Sequence, residues 1–286
     1  MVKRIEVNQL PRYSHWPSIL VGLEEFTKRH KDKKSIIREY GLEKWGSLYK
    51  KIQKIMLKNT SISQVDKIFL GEDNTIFSIK DKLYYSNIIY AHKIYKRTIL
   101  KHIKRYSNYV NTIVELGAGY GSIIFYLAKE LKNQSFNFIA GEFTKQGQDC
   151  LRLLSEKLYK GRVLTYGCDF TSPNIIEAKI PKNSLIFTSL SITCVPRLPK
   201  DFINNIHKLK PKYIINFEPI PQFFDNSLIG LLRKRYIEIN DYNQTLYDLL
   251  GNAVKLDLIE IVEEEKNIFG ENCFLPASLI VWKFKD

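Results

Sequence analysis

Val114-Glu115-Leu116-Gly117-Ala118-Gly119-Tyr120-Gly121 is the stretch that decides how this chain folds. Val110, Thr112, Ile113 and Val114 lead into it, and this apolar, β-branched run reads as a short buried strand. Ile123, Ile124, Leu127, Ala128 and Leu131 follow at helical spacing, so a helix starts directly after the glycines. A strand that turns over glycines into a helix N-terminus makes a ligand site. Glycine tolerates positive φ and lets a ligand approach the backbone, and the helix end offers unpaired N–H groups.

The spacing narrows the ligand. Gly117, Gly119 and Gly121 form G-x-G-x-G, whereas the dinucleotide fingerprint G-x-G-x-x-G carries its third glycine one residue later. Glu115 sits just ahead of the loop, where a carboxylate repels a pyrophosphate but suits an amino group or a sulfonium. There is also no G-K-[ST] to hold phosphates.

Beyond the loop, strand-like and helix-like segments alternate, as in an α/β sheet. Strands are expected at 136–141, 162–166, 184–189 and 212–217, and helices at 147–158 and 201–209. A broken helical region is expected over 227–250. The last two strands, 256–263 and 278–284, lack a helix between them and should pair antiparallel. Ahead of the loop, helical patterns start near Ser18, Ser35 and Ser61, and a longer one runs from Tyr84 to Tyr106. The expected organisation is a basic helical cap, 1–108, followed by an α/β domain, 109–286.

In its glycine loop and strand count the chain resembles the class I S-adenosylmethionine-dependent methyltransferases, whose first motif is an acidic residue, an apolar residue, then G-x-G-x-G. That resemblance covers residues 110–286. It implies a seven-stranded, mostly parallel sheet flanked by helices, in the order 3-2-1-4-5-7-6 with the seventh strand antiparallel. The helical cap lies outside the general family pattern. The resemblance also implies S-adenosylmethionine as cofactor, bound by Glu115, Gly117, Ala118, Gly119 and Gly121. Glu142 and Phe143 follow the second strand, where the family keeps an acid for the ribose hydroxyls. Asp169 and Phe170 follow the third, where an acid accepts from the adenine amino group and an apolar side chain packs on the ring. Ser189, at the end of the fourth, borders the methyl donor. No Asn-Pro-Pro-aromatic run follows that strand, which argues against the amino-methylating DNA and glutamine subfamilies.

A hydroxyl acceptor invites a general base. The candidates are Glu218, at the rim after the fifth strand, and His92, on the cap helix that would fold over the site. The motif blend is similar to that of methyltransferases of polysaccharide and natural-product pathways. It implies O-methylation of a sugar or another small polar molecule, with a phosphorylated or nucleotide-linked sugar suiting a basic cap.

Charge supplies the rival reading. Of 44 Lys and Arg, 23 fall in residues 1–110, against 10 of the 30 Asp and Glu. Such a surface attracts anions, so RNA methylation is the alternative acceptor class and a non-catalytic cofactor-binding scaffold the alternative outside enzymes. Cys150, Cys168, Cys194 and Cys273 are scattered, so neither a disulfide framework nor a metal site is expected. With no secretory signal and no apolar run near the ~20 residues of a membrane span, a cytoplasmic setting is expected.

Overall fold

The computed structural model describes residues 2–55, 60–132 and 135–285. Its strands are β1 (Lys3–Ile5), β2 (Asn74–Ile79), β3 (Lys82–Asn87), β4 (Thr112–Leu116), β5 (Asn137–Glu142), β6 (Val163–Gly167), β7 (Leu185–Ser189), β8 (Tyr213–Glu218), β9 (Ile259–Gly270) and β10 (Ala277–Phe284). The helices are α1 (Trp16–Leu20), α2 (Lys33–Ile36), α3 (Ser47–Ile55), α4 (Ile62–Leu70), α5 (Ile88–Tyr106), α6 (Ser122–Glu130), α7 (Lys145–Tyr159), α8 (Phe202–His207), α9 (Leu228–Ile239) and α10 (Leu246–Lys255).

All ten strands join one sheet in the order β1-β3-β2-β9-β10-β8-β7-β4-β5-β6. The expected seven-stranded sheet is therefore corrected to ten strands among the described residues. Counted from β4, the last seven lie side by side as 3-2-1-4-5-7-6, and β1, β2 and β3 extend the sheet beyond β9. The pairings β6–β5, β5–β4, β4–β7 and β7–β8 are parallel, while β10 runs antiparallel to both β8 and β9. Alternation along β4 builds both faces. Ile113 packs with α5, α6 and α7 residues such as Ile99, Ile124 and Leu151, and Val114 and Leu116 pack with Phe202 and Leu250 on the other face. Each such buried side chain contributes roughly 1.5–3 kcal/mol.

The first 108 residues are not helical throughout, so the cap expectation is corrected too. The pattern after Ser18 yields only α1, and the helical reading from Tyr84 begins in fact at Ile88, after the β2–β3 hairpin. Its turn, Lys80-Asp81, places Lys80 at φ +54 where glycine or asparagine is usual, so the sequence signal for it was weak. From Lys33 to Ile55 the chain is one helix, α-helical at its ends and π-helical over Ile37–Gly46, and it passes through Gly41 rather than breaking there. Trp45, Leu48 and Ile52 share a core with Phe125 and Leu151, so this segment packs on the sheet's helical layer. No helix among the described residues is long and apolar enough to cross a membrane.

Candidate ligand-binding site

A cavity of about 860 Å³ opens at the carboxyl tips of the parallel strands, within the ~300–1,000 Å³ of small-molecule sites and at the place where open α/β sheets bind ligands. Its floor is the glycine loop. Gly117, Gly119 and Gly121 all have positive φ (+77°, +57° and +89°), which three L side chains in succession would resist. The N–H groups of Gly117 and Ala118 both donate to the Gly141 carbonyl at 2.8 Å, pinning the loop to the tip of β5. A Cβ on Gly117 would lie 2.3 Å from that of Ser191, so only glycine lets the loops after β4 and β7 close together.

The three predicted acids stand at successive strand tips and line the cavity. Glu115 Oε2 accepts from the Ile124 N–H at 3.0 Å, joining β4 to the start of α6. Burial pushes its carboxyl up to about 8, only partly opposed by that N–H. Glu142 Oε2 accepts from the Gly119 N–H at 2.9 Å, and Oε1 accepts from the Thr144 N–H (2.9 Å) and hydroxyl (2.7 Å). Burial raises its pKa as well, against these donors. The Phe143 N–H adds to these donors, so the Glu142 carboxylate is held by main chain on both oxygens while lining the cavity. Asp169 Oδ1 accepts from the Thr171 N–H and hydroxyl, and Oδ2 from Lys33 Nζ at 2.6 Å. Although partial burial pushes it up, Lys33 and Thr171 prevail and hold Asp169 below its ordinary range.

Ala118, Gly119, Phe143, Phe170 and Ser189 also line the cavity. Gly121 does not. It is the left-handed N-cap of α6, and a Cβ there would strike Leu151 and Phe125, so its role is to let the helix pack.

The two candidate bases fare differently. Glu218 is 1% exposed and is absent from the cavity wall. Its Oε1 accepts from the N–H groups of Ser191 (3.0 Å) and Ile192 (3.1 Å), and Oε2 from that of Thr193 (3.1 Å). Burial lifts its carboxyl to about 7 despite those donors. Its place is therefore corrected from rim base to anchor of the loop after β7. That loop reaches the glycine loop through Ser191, whose hydroxyl donates to the Leu116 carbonyl at 2.9 Å.

His92 does line the cavity, but as an acid. Nδ1 meets Glu271 Oε1 at 2.5 Å, and Nε2 meets the Ser122 hydroxyl at 2.8 Å. Burial pulls its pKa down, yet Glu271 and Asp66 outweigh that and hold it at about 9. The same cluster acts on Asp66, which burial pushes up but His92 and Lys96 draw down to about 2. Both ring nitrogens are thus protonated and engaged at neutral pH, which removes the base role expected for His92.

Several wall residues escaped the sequence reading. Trp45 lies over the loop, its Cζ2 2.9 Å from where a Gly119 Cβ would be, and it packs with Phe69 and Tyr120 at ring separations of 5.0 and 5.4 Å. The Tyr95 hydroxyl bonds the Ser189 hydroxyl at 2.8 Å, and burial keeps its pKa well above the usual phenol value. Tyr95 lies three residues beyond His92 on one helix face, a spacing that could have revealed it. Glu271 follows β9, and its Oε2 makes no hydrogen bond among the described residues. One group outside the cavity, His102 with Glu263 and Glu265, brings ligand atoms within 4.8 Å of one another where α5 meets β9. Glu263 there is already tied to Arg105 and Tyr106.

Neither a family model nor a curated protein matches this chain. Similar solved structures include LepI complexed with SAM, at a TM-score of 0.43 and 12% identity over 64% of this chain and 46% of LepI. The geranyl diphosphate C-methyltransferase from Streptomyces coelicolor A3(2), with Mg2+, geranyl diphosphate and S-adenosyl-L-homocysteine, gives 0.44 and 12% over 68% of this chain and 83% of that one. A SAM-dependent methyltransferase from Aquifex aeolicus gives 0.44 and 13% over 64% and 87%. The chain thus spans less than half the length of LepI. Likeness at this level carries no argument about chemistry, which rests on the cavity itself.

Proposed function

We propose that this chain is an S-adenosylmethionine-dependent methyltransferase that O-methylates a sugar or a similar small polar compound. One observation carries the reading: Glu115, Glu142 and Asp169 stand at three neighbouring strand tips around a glycine loop, and all three face one cavity. The residues fit that cofactor. Asp169 keeps an unused lone-pair site for an amino group, and the Glu142 carboxylate lines the cavity where a ribose hydroxyl would lie. Glu115, protonated at neutral pH by burial, loses its proton to face a cation. Phe170 offers an apolar face beside Gly117.

The donor, when bound, supplies a methyl group already activated on a sulfonium. What remains for the chain is alignment and proton removal. Tyr95 and Ser189 offer hydroxyls to position the acceptor, and Trp45 with Phe69 shields the site from water. With Glu218 anchoring a loop and His92 charged, the carboxylate suited to take the acceptor proton is Glu271, through its unpaired Oε2. Residues 30–46 roof the cavity, which favours a small acceptor over an RNA strand.

The test is transfer of labelled methyl from S-adenosylmethionine into fractions of a cell extract, with calorimetry on the donor and its demethylated product. Label is expected in a small-molecule fraction. Label in RNA would overturn the acceptor class, and absence of heat with either ligand would overturn the whole reading.

A further inference from the structure

The cap carries a second cavity of about 390 Å³ beside the first, lined by Arg29, His30, Lys31, Ser35, Arg38, Glu39 and Glu43. His30 and Lys31 line both, so the two spaces meet at these residues. Lys31 is unusual among them. Its side chain is 2% exposed, a costly place for an ammonium group. Its ammonium pairs with Glu39 at 3.0 Å, a carboxylate shared with Lys44 at 2.9 Å, while its main-chain N–H donates to Asp241 Oδ2 at 2.8 Å. Two ammonium groups on one carboxylate leave a positive charge over. Both also lie near the Tyr40 ring, at 5.4 and 3.9 Å. Arg38 and Arg29 add two guanidinium groups with no ion-pair partner among the described residues, Arg29 resting against the Phe26 ring. On the opposing side Glu43 is exposed to solvent, and His30 is engaged by Asp241 at 3.3 Å.

We propose that this second cavity binds a phosphoryl group carried by the methyl acceptor. Three lines converge on that chemistry. The excess charge is positive and lines a space that adjoins the strand-tip cavity at His30 and Lys31, within reach of a molecule whose other end occupies the strand tips. Two arginines match a phosphate with paired N–H donors, and a dianion suits several cations better than a carboxylate does. The buried Lys31 shares its one ion-pair carboxylate with Lys44, and an arriving anion supplies the charge that this sharing leaves unbalanced. The acceptor class thus becomes a phosphorylated or nucleotide-linked sugar. This rests on the methyltransferase reading for the reaction, but the binding it asserts needs no donor.

The experiment is calorimetry on the full chain in a non-phosphate buffer at fixed ionic strength, titrating glucose 1-phosphate, inorganic phosphate, glucuronate and glucose. Both phosphates are expected to bind, with glucuronate and glucose at least about tenfold weaker. The double variant R29Q/R38Q changes exposed residues only. It should weaken both phosphates about tenfold or more while S-adenosylhomocysteine affinity stays within about twofold. Equal phosphate affinity in the variant, glucuronate binding as tightly as glucose 1-phosphate, or inorganic phosphate binding where the sugar phosphate does not would each overturn the proposal. Phosphate binding with no affinity for S-adenosylhomocysteine would instead sink the methyltransferase reading and leave this site standing.

Discussion

The floor and the roof of the main cavity are held in different ways. The floor, from Glu115 to Gly121, is tied to neighbouring strands by main-chain N–H groups and buried carboxylates. The roof, residues 30–46, is held by side chains: Lys33 on Asp169, Trp45 over Gly119, and the Tyr40 hydroxyl against Cys194 Sγ. The main-chain ties of the floor are local and buried, so its shape is set by the chain's own hydrogen bonds. The tie of the half-exposed Lys33 to Asp169 is weak, a median of ~0–1 kcal/mol for such pairs, while Trp45 and Tyr40 pack on the core, so the lysine adds closure rather than shape. A ligand should therefore depend steeply on the floor and shallowly on the roof.

Gly117→Val attacks the floor most directly. A β-branched residue at φ +77° is strained and would collide with Ser191. Affinity for S-adenosylhomocysteine should fall about 100-fold or more by calorimetry. Binding within a few-fold of wild type would mean that the loop is not the floor.

Glu218→Gln tests the support behind the floor. Gln keeps one acceptor oxygen for three N–H groups, so stability should drop by about 2 kcal/mol in denaturant melts. Donor-saturated turnover should keep its pH profile. A lost acid limb would return Glu218 to the role of base.

Glu142→Gln removes the charge and sets an NH2 against the N–H of either Gly119 or Thr144, and should weaken the donor about tenfold. No change would show that its carboxylate does not meet the donor.

Glu115 gives the floor a pH signature. Burial raises its pKa to about 8, so below that pH the empty site carries a proton that a cationic ligand must expel. S-adenosylmethionine affinity should rise as pH climbs from 7 towards 8.5, about tenfold at most. Glu115→Gln should flatten that slope relative to wild type, and an unflattened slope would assign it to the donor's own titration.

The smallest effect belongs to the roof. Lys33→Met frees Asp169 Oδ2 and should change donor affinity by no more than about threefold. A much larger loss would show that the roof shapes the site after all.

Much of the floor was legible because its signals are local. Strand, glycine turn and helix follow one another within twenty residues, and each acid sits next to the strand end that presents it. The β2–β3 hairpin was not legible. Its turn uses Lys80 and Asp81 where glycine or asparagine would have marked it, and the helical apolar spacing of α5 ran back over the strand residues. His92 stands on a helix that lines the cavity, but its proton state is set by Asp66 and Glu271, which lie far away in sequence. Glu271 and Trp45 carry no motif at all.

The sequence by itself determined the order of strands and helices from β4 onward, the glycine loop and the positions of three acids, because these follow from periodicity and turn chemistry over a few residues. Only the tertiary structure decided that three N-terminal strands complete the sheet, that Glu218 turns to backbone rather than to the cavity, that His92 is a cation, and that Lys31 and Lys44 share one carboxylate. Charge state and partnership depend on burial and on groups brought together from distant parts of the chain, and no local pattern records either.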